Sequence, residues 1–323
     1  MKVFVSWPGY EADGQTTGRV LRAAGLEPVL HPKTGARSPG EVASLAKGCA
    51  GAIVSTDPFT SEVLDALPDL RVIARVGVGY DSIDVAAASQ HGVAVTITPG
   101  MNAETVADHT LALILGLIRR VAQQDALVKA GRWERVGVYT PSELPGKVVG
   151  LVGVGGIGKA VIRRLRGFDV RMVFFDKAID AIEGADRLDS LETLLETADI
   201  VSLHVPLVPE THHLINSRTL ALMKPGALLV NTARGPIVDE KAVFAALAEG
   251  RLGGAALDVF EVEPPPAAAL EGVPNLICAA HMGGISNESI KRMTTSATQS
   301  VIQVLRGELP MTAVNRAVLE QSR

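Results

Sequence analysis

The segment 148–176 admits few folds. It opens on Val148-Val149-Gly150-Leu151-Val152, a short, apolar, β-branched run of the kind that forms a strand buried on both faces of a parallel sheet. Gly153-Val154-Gly155-Gly156-Ile157-Gly158 follows and satisfies G-x-G-x-x-G in full. From Lys159 to Phe168 apolar residues recur at helical spacing (Ala160, Val161, Leu165, Phe168), and a second strand over 170–175 ends on Asp176. Strand, glycine turn, helix, strand and acid in this order read as a dinucleotide-binding unit. Gly153 permits the tight turn, Gly155 lets the backbone approach a pyrophosphate, and Gly158 lets helix and strand pack closely. The start of the helix offers unpaired N–H groups and a partial positive charge to the phosphates. Asp176 can accept hydrogen bonds from ribose hydroxyls and repels a 2′-phosphate, which favours NAD over NADP, although Lys177 softens the repulsion.

The rest of the chain is organised around this unit. At 323 residues the length suggests two domains. Before it, strands are expected over 2–6, 28–31, 51–55, 72–75 and 94–97, alternating with helices near 17–24, 39–47, 61–67 and 83–90. Gly25 and Gly48 stand at the C-terminal stops of two of these helices. The alternation predicts a second doubly wound parallel sheet. That sheet carries Arg75-Val76-Gly77-Val78-Gly79-Tyr80-Asp81, a glycine turn at a strand's C-terminal end, whose backbone N–H groups could hold a carboxylate. An ordinary strand-to-helix turn accounts for it equally well. Pro99-Gly100 breaks the chain, and 103–128 reads as one long helix with Asn102 as N-cap and Glu104 in its first turn. After Asp176 come strands at 200–203, 227–230, 254–257 and 276–278, and a helix over 285–306 passes back to the first domain. The expected architecture is α/β, with two doubly wound parallel-sheet domains. A Rossmann NAD-binding domain (100–284) is inserted into a flavodoxin-like substrate domain (1–99 and 285–323).

Composition excludes several partners. A net charge of −4 and a pI near 6 provide no basic field for nucleic acid. The longest apolar run, 111–118, is too short to span a bilayer, so no membrane association is expected. The N-terminus reads as a strand rather than a signal peptide. Cys49 and Cys278 form neither C-x-x-C nor zinc spacing, so the chain is expected to be cytoplasmic and metal-free.

Arg234, Asp258, Glu263 and His281 all lie just beyond the C-terminal ends of successive strands. In a parallel sheet those ends share one edge, the edge at which the glycine turn presents a cofactor. A cation, two carboxylates and an imidazole therefore converge where chemistry on a bound ligand would take place.

The chain resembles the NAD-dependent D-2-hydroxyacid dehydrogenases, close to their D-3-phosphoglycerate dehydrogenase branch, nearly end to end. The resemblance is carried by the glycine motif, the 75–81 turn, Gly131-Arg132-Trp133-Glu134-Arg135, Leu203-His204-Val205-Pro206-Leu207, Asn231-Thr232-Ala233-Arg234-Gly235, Asp258-Val259-Phe260-Glu261-Val262-Glu263-Pro264 and His281-Met282-Gly283-Gly284. It implies that Arg234 binds the substrate carboxylate, that His281 exchanges a proton with the carbonyl or hydroxyl oxygen, and that Glu263 hydrogen-bonds that imidazole. It further implies that Asp258 contacts the nicotinamide side and that Gly156, Ile157, His204, Val205, Pro206, Thr211, Thr232, Ala233 and Gly283 help to hold NAD. Arg75, Val76, Gly77, Val78 and Asn102 would bind the substrate, a small 2-hydroxy or 2-oxo acid, and a homodimer would use 102–145. Ala280 departs from the pattern, because the family usually has proline there. The substrate expected first is 3-phosphoglycerate-like, with glyoxylate, hydroxypyruvate or phosphite as alternatives. An NAD-sensing, corepressor-like binding protein is the reading from another class. Glutamate rather than glutamine at 263 argues against formate.

Overall fold

The computed structural model describes residues 1–10, 16–33, 35, 37–137 and 140–321. The chain divides into two compact units, Met1–Asn102 with Ile285–Arg323, and Ala103–Gly284.

The smaller unit runs β1 (Lys2–Val5), α1 (Thr16–Ala23), β2 (Glu27–Leu30), α2 (Pro39–Leu45), β3 (Cys49–Val54), α3 (Ser61–Asp65), β4 (Val72–Arg75), α4 (Val85–Gln90) and β5 (Ala94–Thr96). Its strands pair in parallel in the order β2-β1-β3-β4-β5, a flavodoxin-like arrangement. Apolar side chains leave both faces, as a doubly wound sheet requires. One face packs Val3, Val5, Ile53 and Val72 with Leu21, Met293, Ala297 and Val301, and the other packs Phe4, Val54 and Ile73 with Val42, Val63, Leu64 and Ala87.

At the C-terminal edge of this sheet lies a buried ion pair. Arg37 donates to Asp57 Oδ1 at 2.7 Å, with side chains 4% and 5% exposed, and Ser6 Oγ donates to Asp57 Oδ2 at 2.5 Å. Removing one partner of such a pair strands a charge, which costs about 3–5 kcal/mol. Arg37→Met should therefore lower the melting temperature by on the order of 10 °C. Adding Asp57→Leu should recover most of that loss. A melting curve unchanged by Arg37→Met would show that the pair contributes nothing.

The larger unit runs α5 (Ala103–Ile118), α6 (Val121–Lys129), β6 (Val148–Val152), α7 (Gly156–Leu165), β7 (Arg171–Phe175), β8 (Asp186–Arg187), α8 (Leu191–Thr197), β9 (Ile200–Leu203), α9 (Ser217–Leu222), β10 (Ala227–Asn231), α10 (Glu240–Ala248), β11 (Leu252–Leu257), α11 (Ala267–Leu270) and β12 (Leu276–Cys278). Its seven strands are parallel in the order β12-β11-β10-β9-β6-β7-β8, so the strand order reverses between β6 and β9. A ligand crevice in an open α/β sheet lies at such a switch point. The helices α12 (Asn287–Leu305) and α13 (Arg316–Gln321) belong to the smaller unit.

The long helix expected over 103–128 is two helices. Arg120 adopts φ +52°, which ends α5, and its guanidinium donates to Asn275 Oδ1 at 2.9 Å. The apolar period runs through the break and conceals it. Asn102 does not cap α5: its Oδ1 is buried without a hydrogen-bond partner among the described residues.

Candidate active site

The glycine turn leaves β6 at the switch point, and its shape follows from what a side chain would meet there. A Cβ on Gly153, at φ +88°, would stand 2.8 Å from His204 O, and one on Gly158 would stand 2.5 Å from Gly153 O. A Cβ on Gly155 or Gly156 would meet nothing within 4 Å. The first pair of glycines therefore closes the turn, and the second pair leaves an open cradle beside the α7 N-terminus, which fits a pyrophosphate.

Asp176 follows β7. Its Oδ2 accepts from Val154 N at 2.8 Å, and its Oδ1 accepts from Ala178 N at 2.8 Å and Ile179 N at 3.1 Å. Partial burial pushes this carboxyl up, but the three N–H donors outweigh burial and hold it below the usual aspartate value. Asp176, expected to accept from a ribose, thus ties the glycine turn to the loop after β7.

After β9, burial pushes the His204 imidazole down to about 4, so it stays neutral beside Ser202 Oγ at 2.9 Å. The Thr211 hydroxyl is committed to its own turn: it donates to Pro206 O at 2.6 Å and accepts from Val208 N at 2.9 Å.

Beyond β10 the chain turns around Asn231, which is fully buried. Its Oδ1 accepts from Ala233 N at 3.0 Å and its Nδ2 donates to Arg234 O at 2.8 Å. This turn presents Thr232, Ala233 and Arg234. Arg234 NH1 donates to Ala233 O at 2.7 Å, and the guanidinium charge reaches Glu263. Gly235 comes next, where a Cβ would fall inside the Phe260 carbonyl group.

His281 follows β12 with φ +53°, a left-handed backbone that non-glycine residues adopt at some cost. Its Nδ1 lies 2.8 Å from Glu263 Oε2, which leaves Nε2 on the far side of the ring for a reacting atom. Burial pushes the Glu263 carboxyl up, but the His281 hydrogen bond and charge, the Phe260 N–H and the Arg234 charge prevail and hold it below the usual glutamate value. Glu263 is therefore an anion at neutral pH, hydrogen-bonded to the His281 ring.

Asp258, after β11, is 1% exposed. Oδ1 accepts from Met282 N and Oδ2 from Gly283 N, each at 2.7 Å, and the Asp258 carbonyl accepts from His281 N at 2.8 Å. Whatever Asp258 contributes at the nicotinamide edge passes through the 281–283 turn, because its carboxylate faces into the protein.

Besides Arg234, the residues expected to bind substrate, Arg75, Val76, Gly77, Val78 and Asn102, lie in the smaller unit. Arg75 NH1 donates to Val76 O at 2.7 Å and covers Gly77, which has φ +139°. The N–H of Val76 is spent on Val54 O at 2.8 Å, so this amide cannot serve a carboxylate, while Val78 is exposed. Sequence reasoning gave no role to Asn231, Gly235, His109 or Thr110, although Asn231 and Gly235 stand inside a motif that carries the family resemblance.

The family model for the NAD binding domain of D-isomer specific 2-hydroxyacid dehydrogenases matches residues 111–283. The chain belongs to that family. It is an NAD-dependent dehydrogenase acting on the CH–OH group of D-2-hydroxy acids. The dehydrogenase is 44% identical over 273 residues to a glyoxylate reductase of Thermofilum pendens, covering 82% of this chain and 80% of that one. It is 38% identical to a D-3-phosphoglycerate dehydrogenase of Methanocaldococcus jannaschii, covering 82% of this chain and 51% of that one. A Thermus thermophilus crystal structure is 39% identical and superposes with TM-score 0.89 over 97% of the dehydrogenase and 100% of that chain. No helix among the described residues is long and apolar enough to cross a membrane.

Proposed function

We propose that this dehydrogenase reduces a short, unphosphorylated 2-oxo acid of the glyoxylate or hydroxypyruvate kind, with NADH as cofactor. The observation that carries the chemistry is the 2.8 Å contact between His281 Nδ1 and Glu263 Oε2 at the strand edge shared with Arg234. Arg234 pairs with the substrate carboxylate through its planar fork of donors and polarises the carbonyl. His281 Nε2 gives a proton to the carbonyl oxygen in reduction and takes it back in oxidation. Glu263 holds the ring through Nδ1. Among the residues of the smaller unit that the resemblance implies for substrate binding, Arg75 is folded onto its own turn, which leaves the amides of Gly77 and Val78 and the Asn102 side chain as candidates. Gly153 to Gly158, Asp176, His204 to Pro206, Thr211, Thr232, Ala233 and Gly283 would hold the dinucleotide, which supplies the hydride.

Two observations support an unphosphorylated substrate over the phosphoglycerate reading. The relatives include several glyoxylate reductases at 39–44% identity, among them the Thermofilum pendens enzyme at 44%. In the segment 131–135, Arg132 is already paired with Glu134 at 2.5 Å, and Arg75 is folded onto its own turn. We also infer a cytoplasmic homodimer formed through 102–145, where Val121, Val128, Trp133 and Val136 are exposed.

The test is an NADH-oxidation screen over glyoxylate, hydroxypyruvate, pyruvate and 3-phosphohydroxypyruvate. The expected kcat/KM for glyoxylate or hydroxypyruvate exceeds that for the phosphorylated acid by at least about tenfold, the scale of one well-placed contact. The opposite ranking would return the phosphoglycerate reading. No turnover with any of the four would leave the NAD-sensing one.

A further inference from the structure

We propose that His109 is a positioning residue of the reaction: from α5 it holds Asp258, and through Asp258 it holds the 281–283 turn that aims the His281 imidazole. The inference rests on the reading of His281 as proton donor and adds to it the group that sets where the donor stands.

The need for a clamp follows from the backbone. With φ +53°, His281 lies in the left-handed region, which costs an ordinary L-residue roughly 1–2 kcal/mol. Such a conformation persists only where its surroundings over-determine it. Here Asp258 does so by accepting from three successive N–H groups, His281 to its carbonyl and Met282 and Gly283 to its two carboxylate oxygens. Gly283 has no side chain because a Cβ would stand 2.8 Å from Asp258 Oδ2 and 3.6 Å from His109 Cδ2. Proline before the histidine would have stiffened this approach, and Ala280 does not. Rigidity therefore has to come from the Asp258 contacts.

A carboxylate that is 1% exposed keeps its charge and its orientation only if it is compensated. The two N–H groups supply part of that compensation. His109 supplies the rest, with Nε2 3.2 Å from Asp258 Oδ1 and its side chain 23% exposed. The contact is a close charge–polar approach rather than a hydrogen bond of good geometry, and Nε2 has no hydrogen-bond partner among the described residues. The neighbouring Thr110 fixes the same helix to the next strand end, its Oγ1 3.1 Å from Thr232 Oγ1, with both side chains buried. One turn of α5 thus buttresses the ends of β10 and β11, the two strands that lead to Arg234 and to Asp258. Neither His109 nor Thr110 touches the reacting atoms, so their effect is exerted through the groups they hold.

The experiment compares the parent enzyme with His109→Leu, His109→Gln and His281→Asn. Leucine keeps the bulk and removes the donor, and glutamine places an N–H near the position of Nε2. The readouts are kcat with the best 2-oxo acid, the NADH dissociation constant by fluorescence titration, and the imidazole ¹H–¹⁵N signals of the protein without ligands. His109→Leu should lower kcat about 10²-fold, the scale of a misplacement near 1 Å. NADH affinity, to which the glycine turn and Asp176 contribute independently of this turn, should fall far less than kcat, and the Nδ1–H signal of the His281–Glu263 hydrogen bond should weaken. His109→Gln should restore both kcat and the signal. A residue that only supported the fold would lower the melting temperature and leave kcat per folded molecule and the His281 signal unchanged, and that result would overturn the proposal. If His109→Leu does not fold, His109→Asn, which carries its donor on a shorter stem, takes its place with the same expectations. Parental kcat in His281→Asn would instead refute the proton-donor reading, while the imidazole spectra would still report whether His109 holds the turn.

Discussion

His281→Ala should lower kcat about 10²–10⁴-fold, the usual range for a lost general acid, with little change in NADH affinity. Its partner gives the sharper test, because Glu263→Gln keeps the shape of the side chain and removes its charge. The Glu263 pKa is depressed in the folded enzyme, so the anion is present at neutral pH and is lost only as pH falls through that lowered value. Across the neutral and alkaline range Glu263 therefore stays anionic, 2.8 Å from the ring that exchanges the proton. Reduction needs that proton and oxidation needs the ring without it. Removal of the anion should thus move the falling limb of reduction and the rising limb of oxidation to lower pH together. The check is a pH–rate series in both directions for the parent and Glu263→Gln. Superimposable profiles would make Glu263 a structural carboxylate. Arg234→Lys should be nearly as damaging as the loss of the histidine, since a point-like ammonium cannot reproduce a two-pronged contact with a carboxylate.

Gly235→Ala should remove activity through packing rather than chemistry. The added Cβ would lie inside the carbonyl group of Phe260, and both sides of that contact are backbone. Neither can rotate away as a side chain would. Relief requires the loop after β10 to separate from 260–263, and those two segments carry Arg234 and Glu263. An overpacked site costs about 1–3 kcal/mol, and more where the neighbour cannot move. A shift of about 1 Å between a substrate anchor and the proton donor's partner costs about 10² in rate. Gly235→Ala should therefore lower kcat/KM by at least that factor and lower the melting temperature as well. A stable, fully active Gly235→Ala enzyme would mean that the two loops are free to part.

Much of the fold was legible in the sequence because its signals are local. Buried parallel strands read as short apolar runs, helices as 3.6-residue periods, and the dinucleotide turn as three glycines before a helix with an acid after the next strand. Those signals sufficed for two doubly wound parallel sheets, and they placed Arg234, Asp258, Glu263 and His281 after strands that the structure aligns in one sheet. Tertiary contacts decided the rest. The break between α5 and α6 depends on a bond from Arg120 to Asn275, 155 residues away, which no period can register. The spent amide of Val76 depends on the neighbouring strand. The inward direction of the Asp258 carboxylate depends on a turn 24 residues further along and on a histidine of an earlier helix. The sequence by itself determined which elements form and which residues reach the common edge, because both follow from spacing along the chain. Only the tertiary structure decided which of those groups face a ligand and which are spent on one another, because each hydrogen bond made inside the protein removes a donor or acceptor from the site.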